Sequence, residues 1–409
     1  MPKRWLSTGP GRALAAMLCL ILLAPLLGGC WGKREIEELG FTLAVGLDKG
    51  ERPGTYAITY QMAVPKKGTE GGAEIQNRTV TVQASSMVEA SQELFRVVER
   101  QDFPGSTKII ILGRDLAESG INAALDFYQR LYLVRRTSYL LLAEDKAKDI
   151  LETKLNSQQL PALSILALID ATTEWSVVPK VRLGHYLTVL GRGSEAPVIP
   201  VVKAVSSGTD GISYPDGQKA EAGELMLEGA GVFKQDKLIG RLSDAETKGY
   251  LWLQNEVKAR LLDTRDQPGP DYGARVLKTS TKANLATVEG VRSVVFDIRA
   301  EVSLEEVRAG NVEGAQGAQE LAQDAEAQLE AAIKSEADKA VAKSRQLGAD
   351  FLGVGRIIEM KDPRYWRQIK DRWPEFLAEV PINVQVRVKV VSTGSSFGSP
   401  SKLVEEGQE

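Results

Sequence analysis

Several short patterns in the 409-residue chain hold residue types that do chemistry, and their spacing tests each. Gly394-Ser395-Ser396-Phe397-Gly398 matches G-x-S-x-G. That serine acts from a strand–turn–helix elbow, with an acid and a histidine further along the chain. No helical pattern follows here, and the one histidine of the chain, His185, lies far upstream. Ser399-Pro400-Ser401-Lys402 matches S-x-x-K, but a Ser/Gly-rich tail does not hold a lysine against a serine in reactive geometry. His185 stands on a helical pattern with no Cys, Asp or Glu beside it, as a structural histidine does. Gly353-Val354-Gly355 lacks both the third glycine of a dinucleotide fingerprint and the Lys-Ser/Thr of a phosphate loop. Its glycines suit close backbone approach instead. Tyr365, Trp366 and Trp373 share a helix face, which reads as packing on a sheet before it reads as a ligand platform.

One residue keeps its chemistry. Lys3, Arg4 and Arg12 precede the apolar stretch Ala13 to Leu27, and the small residues Gly28 and Gly29 follow it. This is the order of an export signal. The stretch is 15 residues long, whereas a bilayer crossing takes roughly 20. Leu27-Gly28-Gly29-Cys30 resembles the bacterial lipobox, whose cysteine takes a diacylglyceryl group and becomes the first residue after cleavage. The reaction needs a thiolate, the side chain that readily forms a thioether. Two acyl chains, at about 0.8 kcal/mol per buried methylene, hold a protein firmly where one holds it marginally. Cys30 is therefore the expected lipidation site, and the expectation covers no catalytic residue, no cofactor and no metal. Cys19 falls inside the apolar stretch, and Trp31 beside the anchor suits the headgroup zone.

The elements behind these residues alternate. Phe41 to Leu47, Thr55 to Val64, Arg78 to Ala84, Lys108 to Leu112, Thr137 to Ala143 and Val198 to Val205 read as strands. Helical patterns follow Ser86, whose spacing from Glu89 is that of a capping box, and cover Leu116 to Tyr132, Leu160 to Ala171 and Val181 to Leu190. Ser206 to Gln218 is a breaker-rich loop. Leu225 to Phe233 and Lys237 to Leu242 form a hairpin, and Ser243 and Glu246 cap the helix after it. Val294, Phe296, Ile298, Ala300 and Val302 alternate with polar neighbours, a half-buried strand. A long helix from Ala315 to Leu347 carries Leu321, Ala325, Leu329, Ala332, Leu347 and their neighbours on one stripe and stops at Gly348. Phe351 to Met360 reads as a strand, Asp362-Pro363 opens a helix, and Ile382 to Val390 alternate as a last strand.

Composition narrows the function. The chain has 51 Lys+Arg, 54 Asp+Glu, one His and two Cys, with a formal charge of −3. Interspersed signs give no case for nucleic acid. Both cysteines lie in the first thirty residues, so the remainder has neither a disulfide framework nor a cysteine zinc site. Removing residues 1–29 takes away three cations and leaves the chain more acidic, so lipid rather than net charge must tether it.

The motifs from Cys30 onward resemble the Ger(x)C family, the lipoprotein C subunits of spore germinant receptors. They are Cys30-Trp31-Gly32-Lys33-Arg34-Glu35-Ile36-Glu37-Glu38-Leu39-Gly40, Arg135-Arg136-Thr137-Ser138-Tyr139-Leu140 and Gly231-Val232-Phe233-Lys234. Asp236-Lys237-Leu238-Ile239-Gly240, Glu246-Thr247-Lys248-Gly249-Tyr250-Leu251-Trp252-Leu253, Gly348 to Gly355, Tyr365-Trp366 and Trp373 continue the series. Gly32 replaces the family's usual Asp, and Phe103-Pro104-Gly105-Ser106 lacks the histidine that relatives often carry there. The resemblance implies a mixed α/β, or α+β, three-domain lipoprotein ectodomain with mixed sheets and packed helices. It implies a protein on the outer face of the inner spore membrane of endospore-forming Firmicutes, assembled with integral membrane A and B subunits. Direct contact with a small-molecule germinant stays open.

The expected divisions are a signal peptide over 1–29, an N-terminal α/β domain over 30–198 and a middle domain over 199–275. A C-terminal α/β domain with the long helix spans 276–394, and a disordered tail spans 395–409. The reading is a non-enzymatic, lipid-anchored receptor subunit. Its rival is a solute-binding lipoprotein of a membrane transporter, which length and anchor suit equally well.

Overall fold

The computed structural model describes residues 14–15, 17–18, 38–67, 73–131, 133–155, 157, 160–205, 223–265, 271–288, 291–307 and 314–392. Two sheets organise them. The first is built from β1 (Leu39–Lys49), β2 (Tyr56–Lys67), β3 (Ala73–Ala84), β4 (Gln101–Asp102), β5 (Ile109–Leu112), β6 (Tyr139–Ala143), β7 (Val198–Val205), β8 (Glu224–Lys234) and β9 (Lys237–Leu242). Its order is β3-β2-β1-β5-β6-β7-β8-β9, with β4 beside β1. The central strands β1, β5, β6 and β7 are parallel, and the flanks are antiparallel. Parallel strands need helical crossovers, which cover both faces. Hence Ile109, Ile110, Ile111 and Leu112 are all fully buried.

Alternate residues point to opposite faces. Val45, Leu47, Ile110, Leu112, Leu140 and Leu142 enter one core. It is closed by α1 (Met87–Val97), α2 (Arg114–Ser119), α3 (Asn122–Arg130) and α6 (Leu183–Arg192). Ala44, Ile109, Ile111, Leu141 and Ala143 enter the other, under α4 (Ala147–Glu152) and α5 (Pro161–Glu174). Asp48, 6 % exposed, caps α4 by accepting the Ala147 and Lys148 amides at 2.8 Å each. The expected helix over Leu116 to Tyr132 is two helices, because Gly120 adopts φ +121° and Ile121 turns its N–H to the Asp236 carbonyl.

The second sheet runs β10 (Arg260–Asp263), β11 (Tyr272–Val288), β12 (Val291–Val307) and β13 (Ile382–Ser392). The alternation read for β12 holds: Val294, Phe296, Ile298, Ala300 and Val302 are buried. β13 is parallel to β12, and the crossover between them is α8 (Gly314–Leu347), followed by α9 (Val354–Lys361), α10 (Pro363–Ile369) and α11 (Trp373–Glu379). Ala325, Leu329, Ile333, Ala337 and Ala340 form the buried stripe of α8, each 0 % exposed. Its carboxylates also close the β13 edge, since Glu330 accepts the Val388 amide at 2.9 Å and Glu326 the Val390 amide at 2.8 Å. Two amides so covered blunt this edge as a template for another chain.

Residues 199–275, set apart by sequence as a middle domain, carry no sheet of their own among the described residues. β7 and β8 pair antiparallel, so the 224–242 hairpin extends the first sheet. β10 joins the second, with α7 (Asp244–Leu253) between them. Phe351 to Met360 is not a strand. Val354, Ile357 and Ile358 are buried at helical spacing, and α9 starts at Gly353 with φ +72°.

Candidate functional site

Cys30 and the serine patterns at 394–402 lie outside the described residues. The other candidates converge where the two sheets meet. α6 ends at Arg192 with Gly193 in the left-handed region, and the chain turns through Glu195 into β7. Glu195 is the charged pivot of this turn. Its carboxylate meets Arg192 at 2.8 Å and Arg356 of α9 at 3.6 Å, with its side chain 10 % exposed. One residue on, the Ala196 amide donates to the Asp350 carbonyl at 2.9 Å, a backbone link between the two bodies.

Asp350, 4 % exposed, organises the far side of the joint. Its Oδ1 accepts the Val354 amide at 2.8 Å, and its Oδ2 accepts the Gly355 amide at 2.6 Å and Trp373 Nε1 at 3.2 Å. Trp373 stacks edge-on against Trp366 at 5.2 Å. A Cβ on Gly355 would stand 2.8 Å from one indole and 2.9 Å from the other, so this glycine permits the close approach of the two rings. Trp366 and Trp373 are buried, as the packing reading requires, while Tyr365 is partly buried with the Arg292 guanidinium 5.5 Å from its ring.

Burial outweighs these three donors and raises the Asp350 carboxyl to about 6. A pKa above the unfolded value of 3.8 means that the folded chain binds the proton more tightly. The associated stabilisation is complete below about pH 4 and is lost as pH rises through 6, about 2–3 kcal/mol in all. Asp350→Asn is expected to flatten this fall between pH 4 and 6.5. Urea unfolding of both proteins across that range checks it, and parallel pH profiles refute it.

A cavity of about 230 Å³ opens at the same joint, lined among others by His185, Tyr250, Gln254, Asn255, Phe351 and Arg356. Partial burial and then the Arg192 guanidinium push His185 below the usual imidazole range, against the opposing pull of Glu195. Among the described residues no three His, Cys, Asp or Glu side chains are grouped to hold a metal ion. The joint pairs charges and packs rings; its described residues do not place a nucleophile against His185. The sequence missed Asp350 and Glu195 as its organisers, because one acidic residue reads alike on a surface and in a core.

Two family descriptions match the chain in tandem. "Spore germination protein N-terminal domain" matches residues 32–204, and "Spore germination B3/GerAC like, C-terminal" matches residues 228–394. Spore germination protein KC of Bacillus subtilis (strain 168) is 26% identical over 403 residues, covering 94% of this chain and 96% of the relative. Spore germination protein B3 of the same organism is 24% identical, covering 93% and 97%. The crystal structure of the GerBC protein superposes with a TM-score of 0.55 at 21% identity, over 86% of this chain and 98% of that one, which shows a shared fold. The chain belongs to the spore germination GerAC/B3 family, the Ger(x)C family that its motifs resemble.

Proposed function

We propose that this chain is the lipid-anchored, non-enzymatic C subunit of a nutrient germinant receptor. It is tethered through Cys30 to the outer face of the inner spore membrane and assembles there with integral membrane A and B subunits to start germination. The observation that carries the reading is the lipobox immediately ahead of a chain that matches spore germination families along most of its length. Among the described residues no helix is long and apolar enough to cross a membrane. The two bodies are unlike, one on a sheet ordered β3-β2-β1-β5-β6-β7-β8-β9 and one on β10-β11-β12-β13. A solute binder built from two similar lobes fits that asymmetry poorly.

Cys30→Ala is expected to lose the diacylglyceryl mass from the N-terminal peptide, leave the membrane fraction and impair germination. Mass spectrometry, fractionation and a germination assay read the three effects. A variant that stays membrane-bound and germinates normally removes the tether from the reading.

A further inference from the structure

The parallel strands of the first sheet all start at one edge. Register places the beginning of β1 beside β4, and Ala44 of β1 opposite Ile109, itself opposite Tyr139. The loops entering β5 and β6 therefore flank the point where the chain arrives from Cys30. They are tied together: the Phe103 amide donates to the Gly40 carbonyl at 2.9 Å, the Lys108 amide to Leu43 at 2.8 Å, and Ser138 Oγ to the Thr107 carbonyl at 2.8 Å.

This edge is apolar at its tip. Phe103 is 41 % exposed with Phe41 packed edge-on behind it at 6.0 Å, and Leu133 is 37 % exposed. A Cβ on Gly105 would sit 3.2 Å from the Phe103 ring and 3.5 Å from the Leu133 carbonyl, which places the two loops side by side. Around the tip stand Lys108, Arg135 and Arg136, all exposed, with no ion-pair partner among the described residues. Acids beside the starts of β1 and β4 are the exposed Glu38 and Glu99 and the partly buried Asp102, which accepts from Thr42. Exposed apolar side chains and exposed cations thus share one end of the first body.

We infer that this edge seats on the phospholipid surface itself, Phe103 and Leu133 entering the headgroup zone while Lys108, Arg135 and Arg136 meet anionic headgroups. The orientation rests on the Cys30 anchor proposed above. Nine residues from Cys30 to Leu39 reach at most about 30 Å, so the anchor cannot stand far from this edge. Exposed apolar side chains rimmed by cations complement an anionic interface in both hydrophobicity and charge. The lipid holds the chain to the membrane, and the edge fixes which way it faces.

The cores are made of residues between 44 and 388, so the chain from residue 31 carries its fold without the anchor. That acyl-free chain, cosedimented with phosphatidylglycerol/phosphatidylethanolamine vesicles, is expected to bind them better than phosphatidylcholine vesicles. At about fivefold per cation near an anionic surface, the two cations lost in Arg135→Glu/Arg136→Glu alone weaken binding about 25-fold, and the introduced carboxylates add to the loss. Phe103→Asp weakens it by about tenfold or more. The same charge change at exposed positions of the second body, Arg364→Glu/Arg367→Glu, leaves binding as it was. Equal binding to both vesicle types, or equal loss in the edge and control variants, overturns the inference. The native N-terminal peptide mass is read separately. A lipidated Cys30 without vesicle binding sinks the docking edge alone, and vesicle binding with an unmodified Cys30 sinks the anchor alone.

Discussion

Gly249→Ala is expected to destabilise the second body by on the order of 4 kcal/mol, against the ordinary preference of a helix for alanine. Propensity alone favours alanine over glycine inside α7 by about 1 kcal/mol. Packing opposes it. A Cβ at 249 would overlap the Glu336 carbonyl oxygen and lie 2.6 Å from its carbon and 3.0 Å from the Ala340 Cβ. The obstacle is backbone in the middle of α8, which does not swing aside as a side-chain tip would. α7 must therefore back away, and it carries Tyr250, Leu251, Trp252 and Leu253, each at most 8 % exposed, out of the core with it. Overpacking by one methyl usually costs about 1–3 kcal/mol, and the loss here is larger because a whole helix moves. Gly191→Ala supplies the contrast. It also lies within a helix, but nothing stands within 4 Å of its added carbon. It is expected to gain about 0.5–1 kcal/mol. Urea denaturation of both variants reads the difference, and a Gly249→Ala protein as stable as Gly191→Ala would discard the close helix contact.

This contact explains one motif that the sequence displayed without its reason. In Glu246-Thr247-Lys248-Gly249-Tyr250-Leu251-Trp252-Leu253, Glu246 and Ser243 make the full capping box, with bonds of 2.7 and 3.3 Å. Gly249 admits α8, and Trp252 Nε1 donates to Glu336 at 2.9 Å. Local patterns of this kind were legible because period and capping are local physics: β12, β13, α8 and the Asp362 cap at Tyr365 follow from them. The cap at Ser86 is a partial exception, since Glu89 reaches back to the Ser85 amide and not to the capping residue's own. What stayed hidden was distant. Nothing in the alternation of β8 and β9 says that they extend the first sheet. β11 escaped notice because Lys278, Ser280, Lys282 and Asn284 give it a polar run, and pairing with β12 supplies its order. Phe351 to Met360 misled because its apolar run suits a strand until Asp350 captures the two amides that start α9. Cys30, the clearest chemical signal, belongs to a segment outside the described residues and rests on its pattern alone.

Arg260→Met is expected to cost about 3–5 kcal/mol, and adding Glu336→Gln is expected to restore most of it. Arg260 is 5 % exposed, and its Nη2 donates to Glu336 at 2.7 Å while its guanidinium lies 5.9 Å from the Trp252 ring. Burial lowers its affinity for the proton, with Glu336 pulling the other way, and its Nη1 is buried without a hydrogen-bond partner among the described residues. The pair thus bears a desolvation cost that its geometry offsets only in part. Removing Arg260 alone leaves a mostly buried carboxylate, its side chain 20 % exposed, with Trp252 Nε1 as its remaining donor among the described residues. In the double variant the Gln carbonyl still accepts from Trp252, and no charge is left unpaired. A coupling near 3 kcal/mol in the mutant cycle, read by urea unfolding, would place the pair's value in partner choice more than in net stability. Glu336 aligns α8 on β10 and α7 at once, and a helix of small residues, with Ala325, Ala337 and Ala340 on its buried stripe, has few other features to set its register. A double variant as unstable as Arg260→Met would instead mean that the arginine stem, packed against Trp252, matters more than the charges.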